Sequence, residues 1–589
     1  MKMISFYRIS FFLSASLVLF SACSSAEKGI SVLPQVQRLT PDSCGNIQMD
    51  LSLNLPAGYM ARRSRLIVVP QLREQNRVLA EYDPIVLDAP IFNKKKHRTA
   101  VLEGTADPFA PYAQAVTHTG RAQMITVNQK AQLPEGSQNG RSIVGLVTTD
   151  GCGHCTATDS VLMAVVVDPV ELIQKEALRI VWMEPKFVIR PKIRQGRGEA
   201  RLQFDMNKYD IRMDLGRNRS EMDQMLQTLR PIVTDSLSQL TSLRITGLAS
   251  ADGPLRINTP LARNRALSAQ SWLEKTLSLT EAQRKVLRSG SRPEGWQPVF
   301  EAMVQAGDAD SVALKSILTQ YASYNDDVQE RYVRKLPFWN KLKQQYLQGD
   351  RKVEYVYSYS IRSFTTDEEL LAMYQTRPDA FNEEELLRVS TLKQSDEEKM
   401  EVYRTILHYF PQSQVASNNL AVLLLRAGKE HEAEQVLQSL DSVSDYALNT
   451  LAATYVYRNQ YEKAVELLQK QSGTQVEARY NLGLVRAMQR RLNEAYTLLQ
   501  PYEDVNASIV ALSLNKTEDA ARFMKKCQDK GCYPSYVRAL IHARLQQCEP
   551  LFESLQQAVT DKSLRERACN EYDFMPYHQD VRWHNMFDK

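Results

Sequence analysis

Hydrophobic spacing divides the chain into three kinds of text. From about Val32 to Pro169, apolar and polar positions alternate in short runs such as Ile47-Gln48-Met49-Asp50-Leu51-Ser52-Leu53, Arg65-Leu66-Ile67-Val68-Val69 and Val161-Leu162-Met163-Ala164-Val165-Val166-Val167. A period of two puts alternate side chains on one face, so these runs predict strands; the Gly, Pro and Asn between them predict turns and, together, an antiparallel β-sandwich. A connector, about Val170 to Pro191 and extending to 197, follows. Between 198 and 363 the spacing changes from two to three-to-four and back. Ala200-Arg201-Leu202-Gln203-Phe204-Asp205 reads as a strand, Arg219 to Leu240 as a helix with Met222, Met225, Leu226, Leu229, Ile232 and Val233 on one face, Ser242 to Thr246 as a second strand and Val353 to Ile361 as a third. Such alternation predicts an α/β module with helices on one face of a sheet, interrupted over 279–347 by a segment rich in helix formers.

The remainder, 364–589, is helical and periodic. Leu420-Ala421, Leu451-Ala452 and Leu482-Gly483 recur every 31 residues, and Ala433, Ala464 and Ala495 follow twelve positions after each small residue. Helices cross closely only where neither carries a bulky side chain, so small residues in fixed register predict a stacked array of helix pairs. With Asn419 and Asn481 ahead of the small pairs, the spacing resembles tetratricopeptide repeats shortened by three residues. A degenerate copy with Ser390 and Val402 in the equivalent places, closed by Phe410-Pro411, precedes them. Ala520 and the helix Tyr536 to Leu545 read as weaker repeats or a cap. Tyr455, Tyr457 and Tyr461 read as repeat core or groove wall.

Length predicts about three to four domains. Composition, 43% apolar and 24% charged, is that of folded protein, and a net charge of +5 on 589 residues gives no warrant for nucleic-acid binding. The one dense basic run, Lys94-Lys95-Lys96-His97-Arg98, reads as a solvated loop. At the N-terminus, Lys2 and Arg8 precede the apolar run Ile9 to Phe20, too short to span a bilayer and of the length of a signal-peptide core. Its end, Leu19-Phe20-Ser21-Ala22-Cys23, resembles a bacterial lipobox, which implies cleavage after residue 22 and lipidation of Cys23, with 23–31 as linker. Several acyl chains, at about 0.8 kcal/mol per buried CH₂, would hold the chain on a membrane. Export places Cys44, Cys152, Cys155, Cys527, Cys532, Cys548 and Cys569 in an oxidising compartment, where an odd number leaves a thiol free or implies a partner.

Within the α/β module, Gly247, Gly253, Asn258, Leu261-Ala262 and Arg265-Ala266 fall at the spacings of the OmpA-like cell-wall-binding domain, which the segment from about Gly198 to Ser363 resembles, although Leu279 to Leu347 is longer and more helical than that family's segment. Thr259 is expected to cap the helix, Pro260 to stand in its first turn, and Ala262, Ala266, Ala269 and Leu273 to lie on the sheet. The resemblance implies a clamp for a zwitterionic peptidoglycan side group: an aspartate for the ammonium and a bidentate arginine for the carboxylate. Arg265 stands at the arginine position, but Ser250 stands where the family has aspartate. Either Asp252 replaces it, with Asn258 in the loop, or the site has lost its ligand and survives as scaffold.

Cys152-Gly153-His154-Cys155 offers three readings: a structural disulfide in a β-hairpin, a zinc or other metal site with Cys44 or His154, or a redox dithiol. Thr156-Ala157-Thr158-Asp159-Ser160 is a poor helix start, unlike what a redox dithiol requires. The chain contains no Gly-x-Ser-x-Gly, phosphate loop or His-Glu-x-x-His; Gly196-Arg197-Gly198 lacks the third glycine of a dinucleotide loop. No catalytic residue, metal or cofactor is assigned. The whole resembles envelope lipoproteins of Bacteroidetes-type bacteria, some of whose relatives lie beside fimbrial or surface-assembly genes. That resemblance implies a membrane-anchored, non-enzymatic outer-membrane scaffold, with the periplasmic face favoured and following if cell wall is its ligand, and surface display the open alternative. Its expected partners are a protein in the repeat groove and peptidoglycan at the clamp. The alternatives are an assembly factor for fimbriae or surface secretion, and a thiol-disulfide enzyme.

Overall fold

The structure is a computed structural model that describes residues 29–588 apart from 75–76, 95, 97–106, 117–118, 135–139, 152–154, 206–207, 294 and 348–351. Cys23, the signal segment, Cys152, His154 and most of the basic run therefore lie outside the described residues. The chain forms two compact units, one from the N-terminal part up to Val181 together with Leu448 onward, the other Trp182–Ala447.

In the first unit, a three-stranded sheet (Ser31–Leu33, Asn46–Leu55, Gln123–Gln132) faces a seven-stranded one. Alternation decides the packing: Ile47, Met49, Leu51, Leu53 and Leu55 point inward from one strand of the small sheet. They share a core with Leu66, Val68, Leu72, Ile143, Val147 and Met163 of the large sheet. The sandwich is not wholly antiparallel. Gln37–Leu39 runs parallel to Cys155–Val166, and Ile85–Asp88 parallel to Ala113–Ala115, because these short strands enter at the sheet edge through long connections. Ser142–Gly151 and Cys155–Val166 pair antiparallel up to Gly151 opposite Cys155, and the three residues between them lie outside the described residues.

The rest of the first unit is helical. After Tyr461–Gln471, the helix pairs Val476–Met488 with Leu492–Leu499, Val505–Ser513 with Thr517–Lys526, and Cys532–Arg544 with Cys548–Ala558 follow one another, with Lys562–Asn570 and Val581–Phe587 at the end. The sandwich packs on them directly. Asp573, its side chain fully buried, accepts from Arg38 Nε at 2.8 Å and Arg544 Nε at 2.6 Å, and Asn515 Nδ2 donates to the Arg38 carbonyl at 3.0 Å.

The second unit contains a four-stranded sheet in the order Lys192–Ala200, Val353–Ile361, Ser238–Ala249, Leu287–Pro293, the last two parallel. Four expectations are corrected here. The first strand is Lys192–Ala200, and residues 201–205 lie beyond it. The glycines of Gly196-Arg197-Gly198 lie in this strand opposite Tyr357 and Tyr355, and a Cβ at either would overlap a tyrosine hydroxyl. The helix expected to run to Leu240 is Asn218–Thr234. Asp235 ends it by accepting from Leu237 N at 3.1 Å and Ser238 Oγ at 2.8 Å. The third correction is a fourth strand, Leu287–Pro293, inside the segment expected to be helical; its polar sequence is held by pairing with Leu243 to Ala249. Finally, the following helix is Leu255–Thr276, so Thr259 is not its cap and Pro260 lies inside it. Ala262, Ala266, Ala269 and Leu273 are fully buried as expected, and Gly247 is required beneath them, since a Cβ there would overlap the Ala262 carbonyl.

This unit also carries helices Glu383–Leu392, Asp396–Tyr409, Gln414–Arg426 and Glu430–Gln438. Ser390, Val402, Ala421 and Ala433, the expected crossing positions, are all buried to 1% exposure or less.

Candidate functional site

A backbone feature marks the repeat more sharply than the side chains do. Gly428, Asn459, Arg490, Asn515 and Gln546 all have φ between 56° and 68°, the left-handed turn that ends the first helix of each pair. Their spacings are 31, 31, 25 and 31 residues. The shorter third interval places Ser508, fully buried, in the small-residue position twelve before Ala520, and Ser508 Oγ donates to the Ala520 carbonyl at 3.3 Å. Sequence spacing shows this copy only as a weaker repeat at Ala520, because six residues are deleted between Arg490 and Asn515 and break the 31-residue register.

In the first unit, the face made by the first helices of these pairs holds the chain's own connector. The 3₁₀ turn Pro169–Leu172 packs on helices 505–513 and 476–488, burying Pro169, Val170 and Leu172. From Gln174 the connector is half-exposed and held by polar contacts. Asn481 accepts from the Arg179 amide at 2.7 Å and donates to the Arg179 carbonyl at 2.9 Å, which also accepts from Asn449 at 2.8 Å. Both asparagines are buried to 1% exposure or less and bonded to each other at 2.9 Å. An amide that reads both N–H and C=O of one residue fixes extended backbone whatever its side chain.

The Arg179 side chain then enters a cage. Its guanidinium lies 3.7 Å from the Tyr480 ring centre and 4.9 Å from that of Tyr502, with Asp504 Oδ2 3.6 Å away. Cation–π and ionic attraction reinforce each other there. Burial, with the Asp504 charge second, pushes the Tyr480 hydroxyl well above its ordinary pKa, so it stays a donor, to Asp504 Oδ2 at 2.6 Å. Nearby, Lys175 Nζ donates to the Tyr457 carbonyl at 3.0 Å and Asn459 Oδ1 at 2.8 Å. Asp168, buried and raised in pKa by that burial against the opposing pull of Arg490, anchors the segment's start through Arg490. Tyr455 is buried, and Tyr461 donates to Asn459.

Within the second unit the same device recurs: Asn419, fully buried, accepts from the Met183 amide at 2.9 Å and donates to the Met183 carbonyl at 2.8 Å, and Trp182 meets Tyr403 edge-on. The groove expected to hold a partner is thus a surface on which each unit already seats residues of its own connector.

The residues expected to clamp cell wall occupy the loop before helix 255–276. Asn258 Nδ2 donates to the carbonyls of Ser250, Asp252 and Gly253 at 3.0 to 3.1 Å, and the Ser250 hydroxyl donates to the Asp252 carboxylate. Both side chains thereby brace the loop. Arg265 is only 3% exposed, its guanidinium 4.6 Å from the Phe204 ring centre. The loop's outward amides are taken by the insertion: Gly253 N donates to Glu330 at 2.6 Å and Leu255 N to Asp327 at 2.8 Å. Sequence reading missed both carboxylates, which lie 72 and 77 residues away.

Among the described residues, Cys44, Cys527, Cys532, Cys548 and Cys569 are free thiols. No group of three or more His, Cys, Asp or Glu among them is placed to hold a metal, and no helix is long and apolar enough to cross a membrane.

No protein-family model matches the sequence, and no curated protein does either. Solved structures similar to it include a tetratricopeptide repeat protein from Parabacteroides merdae, 13% identical, covering 45% of this chain and 93% of that one at a TM-score of 0.26. YrrB, described as a tetratricopeptide repeat protein with an unusual peptide-binding site, is 18% identical, covering 34% of this chain and 96% of that one at 0.21. The APC/C hetero-tetramer Cut9-Hcn1 is 10% identical, covering 63% and 70% at 0.27. Similarity at this level carries no weight of its own; the helical repeat region rests on the recurring left-handed turns and buried small residues.

Proposed function

We propose that this chain is a membrane-anchored, non-enzymatic scaffold of the bacterial cell envelope, tethered by lipid at Cys23, whose tetratricopeptide-like repeats hold extended protein segments. One observation carries the reading: buried asparagines on the first helices grip main-chain amides and carbonyls directly, at Arg179 and at Met183. Backbone recognition of that kind suits a scaffold and requires no reactive side chain. The clamp that the OmpA-like resemblance implies is proposed to be closed, because Arg265 is buried and Glu330 and Asp327 occupy the loop amides. The module then serves as structure, and the periplasmic face is favoured by its resemblance.

The test is fractionation of cells expressing the full chain or Cys23→Ser, with sedimentation of the purified mature protein on peptidoglycan sacculi. The expected result is that the full chain follows the outer membrane, Cys23→Ser is released, and the mature protein stays in the supernatant. Membrane release of neither form would overturn the lipid anchor, and sedimentation with sacculi would overturn the closed clamp. An assembly factor for fimbriae or surface secretion is the form of this function that the genomic resemblance suggests. The thiol-disulfide reading is tested by Cys152→Ser with Cys155→Ser: unchanged disulfide-reductase activity of the preparation removes it.

A further inference from the structure

The cage around Arg179 is built from contacts in which Arg179 has no part. Asp504 Oδ1 caps helix 505–513 by accepting from the Ala507 amide at 2.9 Å, while its Oδ2 accepts from the Tyr480 hydroxyl. Asn506 Nδ2 donates to the same hydroxyl at 2.8 Å, and Tyr502 OH donates to the Val476 carbonyl at 2.9 Å. The two rings stand nearly perpendicular, 77° apart with centres 4.8 Å apart. Helix, cap and ring positions are therefore fixed before any arginine enters, as is the Asn449–Asn481 pair beneath the backbone. A site preorganised in this way binds without the entropy of ordering its walls.

The occupant is held unevenly. Pro169, Val170, Leu172 and Ile173 are buried to 9% exposure or less, whereas the Arg179 side chain retains 41% of its exposure. Leu178, at 7%, is the one well-buried side chain beside the clamped residue. The segment is thus anchored at its start by buried apolar side chains and held at its end by main-chain hydrogen bonds, a buried leucine and a half-exposed caged arginine on extended backbone.

We infer that Lys175–Val181 is a tethered stand-in, and that this site takes in trans an extended segment of another protein carrying a Leu-Arg pair. The inference rests on the reading of the repeats as a surface that holds extended chain, and it names the ligand. Charge complementarity selects the arginine: two tyrosine faces and one carboxylate accept a planar cation and disfavour an acid. Asn449 and Asn481 select extended backbone. The tether gives the internal segment an effective concentration of order millimolar, so a partner segment displaces it only by binding more tightly, and a peptide of the same sequence competes once the internal arginine is weakened.

The experiment uses the full mature chain and a fluorescent synthetic peptide of residues Gln174 to Met183. Arg179→Glu in the protein sets a carboxylate against Asp504 and should release the internal segment. Fluorescence anisotropy is expected to show the peptide binding Arg179→Glu at least tenfold more tightly than wild type. Binding should be lost when the peptide itself carries Glu in place of Arg, or when Asn481→Ala is added to the protein. A second protein, with Lys175 to Val181 replaced by Gly and Ser at equal length, supplies an open site should Arg179→Glu leave the segment seated. If neither folded variant binds at about 1 mM peptide, or if binding ignores Asn481→Ala, the segment is a permanent strap and the inference falls. The lipid anchor and the scaffold reading would stand after such a failure, since fractionation and main-chain clamping test them separately.

Discussion

Asn481→Ala is the sharpest perturbation of the repeat face. The side chain is 1% exposed and makes three hydrogen bonds, two of them to the Arg179 main chain at 2.7 and 2.9 Å and one to Asn449 at 2.9 Å. Only the first two bear on whether the segment is seated. At roughly 1 kcal/mol net for each, seating weakens by about 2 kcal/mol, or about 30-fold in the fraction of time that residues 175–181 are released. The Asn449 donation to the Arg179 carbonyl remains, so the loss is partial. Trypsin reads this directly, because cleavage after Arg179 requires the guanidinium to leave its cage. When opening is fast relative to cleavage, the rate follows the open population. Cleavage after Arg179 should therefore accelerate about 30-fold, while cleavage after the exposed Lys530 in the same unit is unchanged. A change below threefold at Arg179, or an equal rise at both sites, would refute the reasoning.

Three further outcomes are expected. Gly247→Ala drives a Cβ into the Ala262 carbonyl, so the second unit should lose about 3 kcal/mol, read by circular dichroism as a Tm lower by roughly 6–12 °C. Hydrogen bonds from Arg377 hold the Asp235 carboxyl down to about 2. Its stabilisation is complete above the ordinary value of 3.8 and is lost as pH falls toward 2, so acid unfolding of Asp235→Asn should be flatter over that interval, by about 1 kcal/mol because Arg377 is 37% exposed. Asp327→Asn with Glu330→Gln weakens the two contacts on the clamp loop, and hydrogen exchange at Gly253 and Leu255 should quicken without global unfolding.

What could be read from the sequence was what is local. Alternation over Asn46–Leu55 and the small residues at 421, 433, 452, 464, 483 and 495 each report the face of their own element, and the structure buries those faces. Strand Leu287–Pro293 was not legible because Leu-Arg-Ser-Gly-Ser-Arg-Pro has little strand preference of its own; seven pairings to its neighbour decide it. The helix start was misplaced at Thr259, a good cap by type, because the caps used at 253 and 255 come from carboxylates distant in sequence. At the candidate site, Asn419 and Asn481 stood out by register, but what they hold did not: the bonded residues are 236 and 302 positions away. Arg265 was legible as a position in a motif and not as a buried side chain, since its environment includes the Phe204 ring, 61 residues away in sequence.

The central claim, that buried asparagines of the repeats grip extended main chain, is tested most directly by residue-resolved hydrogen exchange on the wild-type protein. The account expects the amides of Arg179 and Met183, donors to Asn481 and Asn419, to exchange at least tenfold more slowly than the amides of the exposed connector residues Glu184, Lys186, Val188, Ile189 and Arg190. Exchange of both at the rate of an unstructured peptide would contradict it.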